Sequence, residues 1–183
     1  MILARWRARR ANRILIDQIH GEIVAAARAP ALFQDFAVPD DLDGRFEMLT
    51  LHAGLVMRRL HELGASGGAI AQDIFDCVFE QVDDALREMA ISDVGVAKRI
   101  KAMAEAFYGR NKAYGEALAA RDADALAAAL ARNVYRETTK LPAAPARALA
   151  RRALAMADAL EQIPIEAFVE GYFKFPNSGG EPE

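Results

Sequence analysis

Apolar side chains recur at α-helical spacing in almost every segment of this 183-residue chain. Over residues 12–29, for example, Ile16, Ile19, Ile23 and Ala27 fall on one face of a helix, and Pro30 ends the run. No convincing alternation of apolar and polar residues, the pattern typical of a strand, is found in the sequence. The chain is therefore predicted to fold as an all-α protein.

Proline, glycine and capping residues divide this pattern into a single helical-bundle-like domain of about six to seven helices over residues 12–175, with a long fourth helix. Residues 30–44 and the Gly-rich segment 64–68 are expected to be loops. Residues 1–11 are expected to form a basic, flexible arm and residues 176–183 a disordered tail. After the first helix, the predicted helices cover about 45–63, 69–89, 92–120, 122–136, 146–162 and a short stretch within 165–173.

The second predicted helix is apolar on two opposite sides. One stripe contains Phe46, Leu49, Ala53, Val56, Met57 and Leu60, and the other contains Met48, Leu51 and Leu55. Such a helix is either sandwiched between other helices or keeps one stripe for a partner.

The third and fourth predicted helices each separate apolar from charged residues. The acidic face of the third helix consists of Asp73, Asp76, Glu80, Asp83, Asp84 and Glu88. This face is either an ordinary solvated surface or an attractive surface for a basic segment, such as the Lys- and Arg-rich cytoplasmic loops of membrane proteins. The fourth helix is predicted to bury Tyr108 and Tyr114 and to leave Lys98 exposed.

The formal net charge of −3 hides an uneven distribution. Residues 1–13 hold five arginines and no acid, whereas the rest holds 18 Lys and Arg against 26 Asp and Glu, a formal −8. The candidate tether to an anionic membrane surface or to the ribosome consists of Arg5, Trp6, Arg7, Arg9, Arg10 and Arg13. A merely solubilising end is the alternative. Because everything downstream is acidic, DNA is not an expected partner.

The sequence contains no recognisable catalytic or metal-binding motif. One cysteine and three histidines cannot supply the usual structural zinc sets. The nearest approach to a di-iron Glu-x-x-His pair, Asp17 to His20, has no second copy. Cys77 is expected among carboxylates on the third helix, where negative charge raises the pKa of a thiol. We therefore expect a protein without catalytic residues, metal or cofactor.

Two longer stretches match a known pattern in residue order and spacing. They are residues 44–60, GRFEMLTLHAGLVMRRL, and the block 73–114. The matching positions are Leu51-His52, Arg58-Arg59-Leu60, Leu86-Arg87-Glu88-Met89, Asp93, Val96, Lys98-Arg99, Tyr108-Gly109 and Tyr114. With these motifs, residues 30–173 resemble the ubiquinol–cytochrome c chaperone family of mitochondria and alphaproteobacteria. Two positions depart from the pattern: Gly54 replaces an expected aromatic residue, and Ala90 replaces an expected glycine.

The resemblance implies a non-enzymatic assembly factor that helps newly made cytochrome b mature into ubiquinol–cytochrome c reductase. It implies cytochrome b as a partner and, from the mitochondrial relatives, the ribosome and a small helper subunit. It also implies a cytoplasmic location peripheral to the inner membrane in a bacterium, or the matrix side of that membrane in a mitochondrion. The predicted partner-binding residues are Arg58, Arg59, Asp93, Lys98, Tyr108 and Tyr114.

Two other functions fit the same helical sequence. A helical carrier of a quinone or lipid-like molecule requires a closed apolar cavity of roughly several hundred Å³, whereas an open groove favours a chaperone. A ribosome- or RNA-binding helical module is suggested by the N-terminal arginines alone.

Overall fold

The computed structural model describes residues 2–88, 93–136 and 143–176, with side chains from residue 12 onward. Within these ranges the chain forms eight helices and no strand, which confirms the all-α bundle. The predicted long fourth helix is α5, with 27 residues. The helices are α1 (Ile2–Ala27), α2 (Pro30–Gln34), α3 (Leu42–Glu62), α4 (Ala65–Glu88), α5 (Asp93–Ala119), α6 (Ala123–Asn133), α7 (Ala144–Glu161) and α8 (Ile165–Val169). Met89 and Ala90 lie outside the described residues.

The structure differs most clearly from the prediction in three segments. The first helix begins at Ile2, ten residues before the expected start, so the backbone of the basic segment is helical. The short helix α2 interrupts the expected loop 30–44, because Pro30 occupies a first-turn position, where its missing N–H costs nothing. The segment 64–68 is wrongly predicted as a loop, since α4 begins at Ala65.

Glycines place α4 directly against α3. Gly64 adopts a left-handed conformation, with φ of +88°, and turns the chain between the two helices. At Gly67 a Cβ atom would overlap the carbonyl group of Leu60. The Gly-rich segment therefore lets two helix backbones approach each other, which explains its composition without a loop.

Helix α3 occupies the centre of the bundle and contacts α1, α4, α5 and α7. Both of its apolar stripes are mostly inside the protein: Met48, Leu51 and Leu55 on one side, and Ala53, Val56 and Leu60 on the other, are each at most 3% exposed. The sandwiched alternative is therefore correct, and neither stripe is kept whole for a partner. Only Phe46, Leu49 and Met57 remain partly open.

The charged and apolar faces of α4 lie as predicted. Ile74, Val78 and Leu86 are buried, while Asp76, Glu80, Asp84 and Glu88 are exposed. Burial, followed by the charges of Asp17 and Glu80, raises the pKa of the Cys77 thiol. The direction matches the prediction, but the main cause is burial and not charge.

Helix α5 departs from its predicted pattern at one position. Tyr108 is 57% exposed, although it was expected on the buried arc. It follows the buried Phe107 by 100° around the helix, which places it at the edge of that arc. Among the described helices, none is long and apolar enough to cross a membrane.

Candidate functional site

An apolar groove of about 250 Å³ lies between α3 and α5 and opens to solvent on one side. We call it the α3–α5 groove. Its lining includes Leu51, Gly54, Leu55, Met57 and Arg58 from α3, and Phe107, Tyr108, Asn111, Tyr114, Gly115 and Leu118 from α5. Three of the six predicted partner-binding residues, Arg58, Tyr108 and Tyr114, therefore meet at one surface.

The floor of the groove depends on Gly54. The side chain of Asn111 packs so closely over Gly54 that a Cβ atom on this residue would overlap the Asn111 amide. An aromatic residue, which the family pattern leads one to expect here, would exclude Asn111 from this position. Because this chain has glycine where the family pattern has an aromatic residue, the Asn111 amide forms part of the groove floor.

Two residues of the groove lining carry a buried polar atom: the Asn111 amide lies at the floor, whereas the Tyr114 hydroxyl lies near Glu47 and Asn133, which do not line the groove. The Asn111 Nδ2 atom is buried and has no hydrogen-bond partner among the described residues. Tyr114 is 2% exposed, and burial, followed by the nearby Glu47 carboxylate, raises its pKa, so its hydroxyl stays protonated. The Asn133 side chain partly offsets this rise in pKa. Even so, the Tyr114 hydroxyl has no hydrogen-bond partner of good geometry among the described residues. The Asn111 amide at the floor suits an occupant that brings a hydrogen-bonding group with its apolar surface.

Aromatic rings hold Tyr108 at the edge of the groove. Its ring centroid lies 5.1 Å from that of Phe75 on α4 and 6.2 Å from that of Phe107. Phe79 completes the cluster, with its centroid 5.7 Å from that of Phe107. An exposed tyrosine on a packed aromatic base combines contact area with a polar tip at low entropic cost, which suits a binding surface.

The neighbouring residues Arg58 and Arg59 have different surroundings. Arg58 lies at the groove rim, with a guanidinium nitrogen 3.1 Å from Glu62 Oε1. Arg59 lies 3.8 Å from the other carboxylate oxygen of Glu62, and it donates two hydrogen bonds, of 3.1 and 2.8 Å, to the carbonyl oxygen of Ile163. Arg59 thus attaches the connection between α7 and α8 to the central helix.

Asp93 and Lys98 lie away from the groove. Asp93 begins α5 and accepts a 2.7 Å hydrogen bond from Arg87, which joins the end of α4 to the start of α5. Lys98 is exposed and precedes Tyr108 by ten residues, or about 15 Å along the helix axis. These two residues and Arg59 are not brought together with the groove residues.

The N-terminal candidates all belong to the first half of α1. Arg5, Trp6, Arg7, Arg9 and Arg10 belong to the helical backbone of α1, but their side chains lie outside the described residues. Arg13 is described, and its guanidinium lies 4.0 Å from Glu80 on the acidic face of α4.

Sequence reasoning missed Asn111, although one signal pointed to it. Asn111 shares a helical face with Phe107, Tyr114 and Leu118, at spacings of four, three and four residues. A polar residue within an otherwise apolar stripe is the recognisable feature. Its partner, Gly54, was noted only as a departure from the family pattern.

The Leu51-His52 motif belongs to the core. Both residues are 1% exposed, and the His52 Nδ1–H donates a 2.7 Å hydrogen bond to the Met48 carbonyl. Burial lowers the pKa of His52 to about 4, so the ring is neutral near pH 7. His52 therefore maintains the core of the helix that carries the groove, while Leu51 also lines the inner side of the groove.

A second apolar groove, of about 220 Å³, lies among α1, α3 and α4, and we call it the α1–α3–α4 groove. Its lining includes Val24, Phe46, Leu49 and Val78. Like the α3–α5 groove, it opens to solvent. Neither groove is the closed cavity expected of a carrier that encloses a whole quinone or lipid molecule.

Comparison with known proteins gives three consistent matches. A family model described as ubiquinol-cytochrome C chaperone matches residues 34–175. The crystal structure of the Cbp3 homolog from Brucella abortus is similar over 97% of both chains, with 42% sequence identity and a TM-score of 0.84. Ubiquinol-cytochrome-c reductase complex assembly factor 1 from Xenopus laevis is 29% identical over 102 residues, which are 56% of this chain. The match spans 50% of the length of the Xenopus protein.

Proposed function

Because the chain belongs to the ubiquinol–cytochrome c chaperone family, we propose that it binds newly made cytochrome b during biogenesis of ubiquinol–cytochrome c reductase. It does so as a holding protein and catalyses no reaction. The observation that carries this proposal is the open, apolar α3–α5 groove in a chain of this family.

The composition of the groove supports an apolar polypeptide client. A membrane segment that has not yet been inserted exposes apolar side chains, and covering them with another apolar surface is favourable in water. Met57 supplies a flexible, polarizable contact that adapts to different side chains. Arg58 at the rim and the exposed Tyr108 supply polar contacts that orient the segment.

The basic start of α1 is the proposed second contact. Its arginines would hold the protein near an anionic membrane surface or the ribosome, where the client emerges. The exposed acidic face of α4 would attract the basic loops that connect membrane segments. The proposed place of action is the cytoplasmic side of the inner membrane in a bacterium, or the matrix side in a mitochondrion. A small helper subunit is a further proposed partner, and it would co-purify with the tagged chain.

Two glycines on α5 allow a matched test of the groove. A Cβ atom on Gly115, which lines the groove, or on Gly109, which does not, would meet no atom within 4 Å. Gly115→Phe therefore fills the groove, and Gly109→Phe adds the same ring at an exposed position of the same helix. Each variant is introduced into a deletion strain, and assembled ubiquinol–cytochrome c reductase and co-purified cytochrome b are measured.

The proposal predicts that deletion lowers the amount of assembled complex, that Gly109→Phe restores it, and that Gly115→Phe does not. Cytochrome b should co-purify with the Gly109→Phe variant and much less with the Gly115→Phe variant. Normal assembly in the deletion strain contradicts the function. Full activity of Gly115→Phe leaves the function in place but rejects the groove as its site.

A further inference from the structure

A crevice of about 410 Å³ among α3, α5 and the end of α6 gathers four arginines. They are Arg99, Arg110, Arg132 and Arg136, and two carboxylates, Asp43 and Glu47, line the same crevice. We call it the arginine crevice. Such a concentration is unexpected, because the chain beyond residue 13 has a formal charge of −8.

Two of these arginines are neutralised by carboxylates of the described residues. Arg110 forms a two-point ion pair with the buried Glu47, and Arg136 lies 3.0 Å from Asp41 and 3.4 Å from Asp43. Arg99 and Arg132 are exposed, and among the described residues neither has a carboxylate within 4.0 Å. The crevice therefore presents two uncompensated guanidinium groups to solvent.

Helix α5 forms one wall of the arginine crevice, and small or apolar residues occupy this wall between its two arginines. Along α5, Arg99 and Arg110 bound a face whose intervening crevice residues are Ala102, Met103 and Ala106. The spacing of three, four, seven and eleven residues from Arg99 keeps all of them on one side of the helix. Guanidinium groups form two-point hydrogen bonds with phosphate oxygens, so the exposed Arg99 and Arg132 that line this crevice suit a phosphate group.

The crevice adjoins an apolar surface. Phe46 and Met103 line both the arginine crevice and the α1–α3–α4 groove. Leu42 at that groove is 41% exposed, and Arg28 and Arg45 also line it. A ligand that has its anionic group in the crevice can lay an apolar chain across Phe46 and Met103.

We propose that the arginine crevice and the adjoining groove bind an anionic phospholipid of a membrane surface, with the phosphate at Arg99 and Arg132 and part of one acyl chain beside Phe46. RNA fits less well, because Phe46 is the one aromatic residue of the crevice lining and is only partly exposed, whereas single-stranded bases stack on open rings. The described lining of the site belongs to the body of the protein and consists of residues from position 20 onward.

The test is flotation of the purified full-length chain with lipid vesicles at about 0.15 M salt. The vesicles contain phosphatidylcholine alone, or phosphatidylcholine in part replaced by phosphatidylglycerol. Arg99→Ala/Arg132→Ala is compared with Lys112→Ala/Arg151→Ala, which removes the same charge from exposed positions outside the crevice. The comparison is repeated in a full-length chain whose arginines at positions 5, 7, 9, 10 and 13 are replaced by glutamine.

In both backgrounds the crevice variant should bind phosphatidylglycerol vesicles about 30-fold more weakly than the unchanged crevice, because each basic residue near the surface contributes about a fivefold factor. The control variant should lose much less affinity for these vesicles. Leu42→Asn should weaken vesicle binding without changing the salt dependence of that binding. Equal binding by the crevice and control variants in both backgrounds overturns the proposal. So does a crevice variant that loses affinity for poly(U) RNA but keeps its affinity for vesicles.

Discussion

The side chain of Asn111 on α5 occupies the space in which any other residue at position 54 would place its Cβ atom on α3. The two helices that form the groove are therefore fitted to each other through one glycine and one amide. The Asn111 Nδ2 atom in this contact is buried without a partner among the described residues. This contact determines both the shape of the groove floor and its polarity.

The pair can be tested by the stability of single and double variants. In the present chain Gly54→Ala should destabilise the protein by about 1–3 kcal/mol, because Asn111 must leave its position. In an Asn111→Ala background the same change should stabilise by up to about 1 kcal/mol, because alanine favours a helix interior over glycine. Urea unfolding measures both values. If Gly54→Ala changed the free energy of unfolding in the same direction in both backgrounds, the contact with Asn111 would not be what requires glycine at position 54.

The adjacent residues Arg58 and Arg59 should separate stability from binding. Arg59→Ala removes two hydrogen bonds to Ile163 and should lower the free energy of unfolding by about 1.5–3 kcal/mol. Arg58→Ala breaks a partly exposed ion pair with Glu62 and should cost no more than about 0.5 kcal/mol, while it weakens recovery of cytochrome b. Thermal unfolding and co-purification are measured on the same preparations. The reverse assignment, with Arg58 structural and Arg59 needed only for binding, would contradict this distinction.

His52 should make the protein less stable in mild acid. Its folded-state pKa of about 4 lies below the ordinary histidine value of 6.5, so the unfolded state binds a proton that the native state excludes. Its contribution is complete above about pH 6.5 and is lost as pH falls towards 4, up to roughly 3 kcal/mol. His52→Phe keeps a ring beside Phe175 and should flatten the dependence of unfolding free energy on pH in this window. His20, whose pKa is also lowered by burial, is present in both proteins. An unchanged slope would show that His52 is protonated in the native state.

The ion pair of Glu47 and Arg110 joins α3 to α5 in the arginine crevice. Burial raises the pKa of Glu47 in spite of Arg110, so Arg110→Met should destabilise by about 3–5 kcal/mol near pH 7. This loss should shrink in acid, because the native state then holds Glu47 protonated and no buried charge remains. Glu47→Met/Arg110→Met should recover most of the stability. Two results would exclude an uncompensated Glu47 carboxylate as the cause. One is a loss of unfolding free energy that does not depend on pH, and the other is a double variant that is less stable than Arg110→Met alone.

The sequence predicted the helices well because their apolar faces are long and continuous. The periodicity of Ile74, Val78 and Leu86 on α4 marks a buried face that the structure confirms. The start of α4 was missed, because glycines at 64–68 resemble a loop when only local preference is considered. Gly67 allows close packing of α4 against Leu60 on α3. This contact joins two helices, so it cannot be deduced from the sequence of either helix alone.

The site was predicted only in part, for a similar reason. Motif order brought attention to Arg58, Tyr108 and Tyr114, and these three residues do share the α3–α5 groove. The same motif gave equal weight to Arg59 and Asp93, whose side chains serve contacts within the protein. Whether a side chain is used inside the fold or left for a partner depends on residues such as Ile163, more than 100 positions away.

The central claim is that cytochrome b occupies the α3–α5 groove while it is being made. A photo-crosslinking amino acid at position 108, whose tyrosine is exposed at the groove edge, tests this directly in growing cells. Position 151 on α7 is exposed, lies outside the groove and serves as the control. The account predicts a cytochrome b adduct at position 108 that disappears in the Gly115→Phe background, and none at position 151. An absent adduct at position 108, or equal adducts at both positions, would contradict it.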